Sequence, residues 1–305
     1  TTSFPQTRAL TTTPACAQKY FQYLNSKMKK FILVMMAAVM MVPAALAQER
    51  AKSHKVQIVA HRGYWNCEEG QNAKNSIASL AAAQKYGFWG SEFDVNMTKD
   101  GVLLVFHDGS IKIDGEKKRI DQNNYEVFKD YRLVNGEPIP TLADYLVQAR
   151  KSPKTKMVFE IKKASTPEHE RACVDESIKV LKEYGYFSPK KTIFISFSMN
   201  VCKYLAEVAP GFTVQYLGSA RPPDQVFAEG VNGVDTEYGK LLGDKDWVSS
   251  AKAHGMSVNT WTVDEEDSME AVLLRGVDQI TTNEPEVTRA LIKKQGWKEE
   301  KKTRR

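Results

Sequence analysis

The chain's patterning predicts an α/β fold, a (β/α)8 TIM barrel, and three observations carry that expectation. Short apolar runs alternate with helix-spaced segments about eight times between residues 54 and 296. Such alternation argues for a parallel sheet with right-handed crossovers. Ionisable residues stand where the apolar runs end: His61-Arg62-Gly63 after Val59-Ala60, Glu92 and Asp94 beside Phe93, His107-Asp108 after Phe106. The C-terminal ends of barrel strands are where such enzymes put their reactive groups. A doubly wound open sheet, the competing arrangement, calls for a Gly-rich phosphate loop after its first strand, and His61-Arg62-Gly63 is not one.

The first 47 residues read as lying outside the barrel. From Met28 a basic start (Lys29, Lys30) leads into an apolar run from Phe31 to Leu46 that ends in Ala45-Leu46-Ala47. Those are the three parts of a secretory signal peptide, so residues 28–47 are expected to be cleaved and the protein exported, periplasmic or secreted. The run is short for a membrane span of roughly 20 residues, which argues against a retained anchor. Residues 1–27 are expected to be an upstream over-extension, with Met28 as the start. The chain carries 43 basic and 37 acidic residues, and five of the basic ones lie before residue 48. The chain beyond residue 47 is nearly neutral, giving no reason to expect nucleic acid as a partner. Cys67, Cys173 and Cys202 are too few for a disulfide framework and lack zinc spacing; Cys173 and Cys202 fall in helical patterns as buried apolar residues.

In chain order, Val56 to Ala60 is the first predicted strand. Ser76 to Tyr86 has helical spacing and is closed by Gly87. Glu92 to Val95 is the second strand, and Leu103 to Phe106 is expected to pair with it after the turn Lys99-Asp100-Gly101. Ile111 to Pro140 is mostly polar and reads as an excursion. Thr141 is the expected N-cap of a helix from Leu142, with Asp144 three residues on. Met157 to Ile161 is a strand ending beside Lys162. A helix is expected near residues 167–184, with Cys173, Val174, Ile178 and Leu181 on one face. Strands are expected at Thr192–Phe197, Phe212–Leu217, Val231–Tyr238, Ser257–Val263 and Gln279–Thr282. Helices are expected between them and near Glu284–Lys294. Residues 297–305 read as a frayed basic tail.

Glu92 and Asp94 are two residues apart on a strand, so both carboxylates face the same way, towards the barrel mouth. Adjacent carboxylates repel and need a counter-cation. A divalent Ca²⁺ or Mg²⁺ held by Glu92, Asp94 and Glu160 meets that need with oxygen ligands. The alternative is that Arg62 and Lys162 pair with these acids as structural ion pairs. His61 and His107 at flanking strand ends suit general acid and base catalysis. Arg62 and Lys162 suit phosphate oxygens. Trp261 could wall the pocket or fill the barrel core. Glu237, in a second acidic pair with Asp235, could hold a substrate hydroxyl or be structural. Thr282-Asn283 reads as a cap for the last helix. His54, His169 and His254 read as solvent-exposed, without a role.

These residues resemble the glycerophosphodiester phosphodiesterase family across Val56 to Ile292. The likeness rests on His61-Arg62-Gly63, Asn75-Ser76, Glu92-Phe93-Asp94-Val95, Lys99-Asp100-Gly101, His107-Asp108, Pro140-Thr141-Leu142, Glu160-Ile161-Lys162, Trp261-Thr262-Val263 and Thr282-Asn283-Glu284-Pro285, in that order. It implies a (β/α)8 barrel with a small insertion after the second strand, here about residues 108–140. It implies a divalent ion on Glu92, Asp94 and Glu160, acid/base catalysis by His61 and His107, and phosphate contacts from Arg62 and Lys162. It also implies hydrolysis of glycerophosphodiesters to sn-glycerol 3-phosphate and an alcohol, through attack by the glycerol 2-hydroxyl. The family usually has an acid just before Asn75, and Lys74 stands there instead, a change expected to alter the charge of the site unless Glu69 or Gln71 compensates. Two other readings share the residues: a phosphatidylinositol-phospholipase-like enzyme, which would want an apolar rim that the chain does not show, and a non-catalytic exported barrel that binds phosphorylated ligands.

Overall fold

The computed structural model describes residues 55–301; the leader, the over-extension, His54 and the last four residues lie outside them. Eight parallel strands close on themselves: β1 (Lys55–Ala60), β2 (Gly90–Met97), β6 (Lys156–Ile161), β7 (Thr192–Ser196), β8 (Val214–Leu217), β9 (Gly233–Glu237), β10 (Ser257–Trp261) and β11 (Gln279–Thr282). β1 closes the ring by pairing with β2 at Val59↔Gly90 and with β11 from Gln57↔Gln279 to Ala60↔Thr282. The expected TIM barrel is therefore present.

Residue parity divides each strand between two environments. In β2, Phe93 points outwards and stacks on Tyr145 and Phe159, with centroids 4.6 and 4.8 Å away. Glu92 and Asp94 point inwards. The main core lies between the sheet and the surrounding helices, and Cys173 and Cys202 are buried in it. A smaller cluster of Val59, Trp89, Val158, Ile193, Ile195 and Leu217 fills the barrel itself. At its N-terminal end a relay of amides crosses the interior. Gln215 Nε2–H donates to Gln279 Oε1 (2.7 Å), and Gln279 Nε2–H donates to Gln57 Oε1 (2.8 Å). The relay satisfies the amide groups it joins, which burial would otherwise penalise, and leaves Gln215 Oε1 without a partner among the described residues.

Local signals place the helices. Ser76 caps α1 (Ile77–Tyr86) in a reciprocal capping box with Ser79, and Gly87 ends it at φ 67°. Thr141 and Asp144 form the expected capping box of α2 (Leu142–Lys151). A short helix at Tyr238–Gly243 was not expected from the sequence; the Glu237 carboxylate caps it.

Three expectations are corrected. The excursion after β2 is not merely polar. β3 (Leu103–Val105) pairs antiparallel with β2, as expected. β4 (Ser110–Ile113) and β5 (Glu116–Arg119) then form a hairpin over a small core of Leu104, Ile111, Ile120, Phe128 and Ile139. Those apolar residues are too widely spaced to show a period. Glu137 of this segment accepts from the Ile77 and Ala78 N–H groups, tying it to α1. His169 is half-buried, with Nε2 2.9 Å from the Met97 carbonyl, and is not a free surface group. His254 is exposed as expected, but stacks on Phe227 and pairs with Asp224.

The tail is the third correction. Lys298–Glu299 forms β12, parallel to the start of β1. Arg289 fixes it there: its guanidinium donates to Glu299 (2.7 Å) and to the carbonyls of Tyr86 (2.9 Å) and Gly87 (3.2 Å), and lies over the Phe88 ring. Arg289→Ala is expected to lower the unfolding free energy by about 2 kcal/mol, read by urea denaturation. Truncation after Trp297 should lower it comparably; a truncated chain of unchanged stability would mean that the tail is frayed after all.

Candidate active site

The turn after β1 opens the site. Arg62 (φ 57°) and Gly63 (φ 79°) both adopt left-handed backbone. A Cβ at Gly63 would lie 2.3 Å from Ser79 Oγ and 2.8 Å from its backbone carbon, so only glycine fits. This turn aims the Arg62 N–H at Glu92 Oε2 (2.7 Å) and the Gly63 N–H at the Glu92 carbonyl (3.0 Å).

Glu92, Asp94 and Glu160 converge inside the mouth of the barrel. Asp94 and Glu160 are register partners on adjacent strands, and one oxygen from each of the three carboxylates lies within 4.8 Å of the others. All three are buried. Burial, then Asp94 and Glu160, push Glu92 well above the usual carboxylate range. Burial, then Asp94, push Glu160 up to about 8. Burial acts on Asp94 too, but Lys162, His107, Asn75 and Arg62 outweigh it and hold this acid well below its ordinary value. Lys162 Nζ sits 3.1 Å from Asp94 Oδ1 and 2.7 Å from Glu160 Oε1, and the latter oxygen has no partner in hydrogen-bond geometry. Asn75, itself left-handed at φ 58°, donates from Nδ2 to Asp94 Oδ2 (2.8 Å) and accepts from the Asp94 N–H (3.2 Å).

The structural ion pairs weighed as an alternative do form, yet they do not balance the site. Lys162 serves two acids, Arg62 Nε stands 3.8 Å from Asp94, and Glu92 meets a backbone N–H without an ion pair among the described residues. Three buried carboxylates offering only oxygen donors, with one lysine shared between two of them, suit a hard divalent cation. These three residues could hold one.

The histidines stand on either side. His61 Nδ1 is 2.9 Å from Asn283 Oδ1, and Arg62 Nε–H points at His61 Nε2 (3.2 Å). Asp264 fixes the sense of this arrangement by accepting from the Asn283 backbone N–H and from Nδ2, each at 2.8 Å. With Nδ2 committed to Asp264, Asn283 Oδ1 must accept, so His61 carries its proton on Nδ1 and its lone pair on Nε2. Burial, then Arg62, lower His61 to about 4, which keeps the ring neutral near pH 7. His107 Nδ1 is 2.7 Å from Asp108 Oδ1; burial lowers its pKa and Asp94 opposes the shift.

His61, Arg62, Glu92, Asp94, His107, Glu160 and Trp261 line one pocket of about 310 Å³. Trp261 is both wall and filling: it packs on the cluster inside the barrel and meets Phe197 edge-on at 5.7 Å. Lys162 joins the site through its ion pairs. Glu237 is not among the residues lining the pocket. Its carboxylate is used by the Gly239 and Lys240 N–H groups (3.0 Å each), because it stands where β9 turns into a helix. Its neighbour Asp235 takes the pocket position instead. Asp235 Oδ2 accepts from Asn259 Nδ2 (3.0 Å), while buried Oδ1 has no partner. Lys74 stands apart, its ammonium 4.3 Å over the Trp65 ring on the exposed side, and Glu69 is turned to Lys85 and Tyr86. Neither adds charge to the carboxylate cluster by direct contact. Sequence reasoning gave Asn283 only a capping role and gave the hydroxyl-binding role of the acidic pair to Glu237 rather than Asp235, and it missed Asp264, which stands three residues beyond the end of β10.

The model of the glycerophosphoryl diester phosphodiesterase family matches residues 61–287. The glycerophosphodiester phosphodiesterase of Caldanaerobacter subterraneus subsp. tengcongensis is 30% identical over 257 residues, which cover 79% of this chain and 100% of that protein. A solved glycerophosphodiester phosphodiesterase from Parabacteroides distasonis is 39% identical, with a TM-score of 0.74 over 79% of this chain and 98% of that one. A phosphodiesterase of Oleispira antarctica, solved in complex with the product sn-glycerol-3-phosphate, is 24% identical; its TM-score of 0.66, over 78% of this chain and 96% of that one, shows the same fold. The chain belongs to the glycerophosphoryl diester phosphodiesterase family.

Asp235 yields a direct check of this geometry. Burial pushes its carboxyl up to about 8, whereas an unfolded Asp titrates near pH ~4. Between those values the folded chain keeps a proton that the unfolded chain has released, so this group makes stability fall as pH rises. Asp235→Asn removes that dependence. Its unfolding free energy, relative to the unmodified chain, should grow by at least about 1 kcal/mol from pH ~5 to pH ~8. A difference independent of pH contradicts a buried, protonated Asp235.

Proposed function

We propose that this protein hydrolyses glycerophosphodiesters to sn-glycerol 3-phosphate and an alcohol, with a divalent cation on Glu92, Asp94 and Glu160, and acts after export in glycerophospholipid breakdown. The observation that carries the reading is the meeting of two histidines, three buried carboxylates and Arg62 in one pocket of about 310 Å³. When bound, the cation would supply charge stabilisation at the phosphate oxygens and neutralise the carboxylates. Arg62 offers N–H donors to the same phosphate.

The proton traffic belongs to the histidines. His61 Nε2, with its lone pair and neutral ring, takes the proton of the glycerol 2-hydroxyl as that oxygen bonds to phosphorus. The bond from phosphorus to the alcohol oxygen breaks, and that oxygen takes a proton from His107. Water then opens the cyclic phosphate with the two roles reversed. The tautomer imposed through Asn283 supports the assignment of His61, and at His107 the Asp108 carboxylate on Nδ1 favours the protonated ring against the burial that lowers its pKa. Asp235 and Trp261 face the space left for glycerol, with the orphaned Asp235 Oδ1 available to a hydroxyl. Export is supported by the signal-peptide pattern in residues 28–47.

An assay of released glycerol 3-phosphate on a panel of diesters tests the reading. His61→Ala and His107→Ala should each reduce kcat by about 100-fold or more while circular dichroism stays unchanged. A chelator should abolish turnover, and added Ca²⁺ or Mg²⁺ should restore it. Near-normal rates in either histidine variant, or in metal-free buffer, would sink the corresponding assignment.

A further inference from the structure

A second and wider cavity, about 780 Å³, adjoins the pocket. Phe106 and Tyr131 line it as an edge-on aromatic pair. The β4–β5 hairpin lines it too, through Lys112 and Lys117. His107 belongs to both cavities, so its ring stands at their junction. The inner pocket lies at the low end of ligand-site volumes, so a diester with a bulky alcohol needs the adjoining space.

The hairpin's charge is unusual. Lys112 and Lys117 are directly opposed across the two strands, where like charges destabilise a ladder. Their basic neighbours are neutralised: Lys118 pairs with Glu116, and Arg119 donates twice to Asp121 (2.9 and 2.7 Å). No carboxylate among the described residues pairs with Lys112 or Lys117, and both are exposed. The other charged groups lining the cavity are engaged. Asp108 is bonded to His107, and Lys162 is held by Asp94 and Glu160. Two uncompensated ammonium groups therefore face this space.

We propose, resting on the hydrolase reading of the inner pocket, that the wider cavity receives the alcohol half of the diester and that Lys112 and Lys117 select alcohols bearing an anionic group. An oxyanion between the two ammonium groups turns their repulsion into two charge-assisted contacts. Lysines suit this role because their rotatable point charges follow a group whose position varies from one alcohol to another. The alcohol would leave past His107, the proton donor, directly into this space.

The test compares sn-glycero-3-phosphoinositol 4-phosphate with sn-glycero-3-phosphoinositol, the same alcohol with and without an added phosphate; sn-glycero-3-phosphocholine serves as a cationic third substrate. The unmodified enzyme should show a roughly tenfold higher kcat/KM for the phosphorylated diester, mainly through KM and shrinking with salt. In K112A/K117A the ratio should fall towards one, and in K112E/K117E below it. Because each ratio is read within one preparation, a loss of folded enzyme cancels. A ratio at or below one in the unmodified enzyme, with the inositol and choline diesters hydrolysed, overturns the inference alone, as does a preference that survives K112E/K117E. If none of the three diesters is hydrolysed, the reading of the inner pocket fails and takes this inference with it.

Discussion

Three carboxylates forced together inside a barrel are the constraint on which the rest of this molecule depends. Glu92 and Asp94 share a face because they are two residues apart on one strand, and Glu160 joins them because its strand pairs in register. Burial and mutual repulsion both oppose ionisation of the cluster. The surrounding chain is shaped around that difficulty. Arg62 and Asn75 adopt left-handed backbone, the first to aim its N–H at Glu92 and the second to bond Asp94. Lys162 divides itself between Asp94 and Glu160. Local strain of this kind persists where a site over-determines it.

The same arrangement separates two proton-transfer groups that would otherwise be alike. His61 lies in a half-buried relay that runs through Asn283 to Asp264, which fixes its tautomer. His107 stands at the rim, 39% exposed, against the carboxylate of Asp108. One ring is therefore held neutral inside the barrel, while the other is next to an acid where the alcohol can leave. Environment, more than residue type, separates the roles.

Much of this was legible in the sequence because it is local. Strand parity is enough to turn Glu92 and Asp94 inwards and Phe93 outwards, and Thr141-Asp144 announces its own capping box. What was not legible depends on distant partners. Asn283 meets His61 across 222 residues, so it read as a helix cap. Asp235 and Glu237 have the same parity, yet only the first faces the pocket; the turn at the end of β9 gives Glu237 two backbone N–H groups to cap. The core under the excursion and the strand formed by Lys298–Glu299 escaped notice because neither has a periodic pattern. Lys74 is the reverse case: conspicuous in the sequence, it rests on the Trp65 ring, whose Nε1–H donates to Asn283, and makes no ion pair with the three carboxylates among the described residues.

Calorimetric titration of the purified protein with Ca²⁺ and Mg²⁺ addresses the central claim most directly. The account predicts one ion per chain, binding that weakens as the pH falls because protons compete for the carboxylates, and loss of that binding in Glu160→Gln and in Glu92→Gln. No binding at millimolar ion, or binding indifferent to both substitutions, would contradict it.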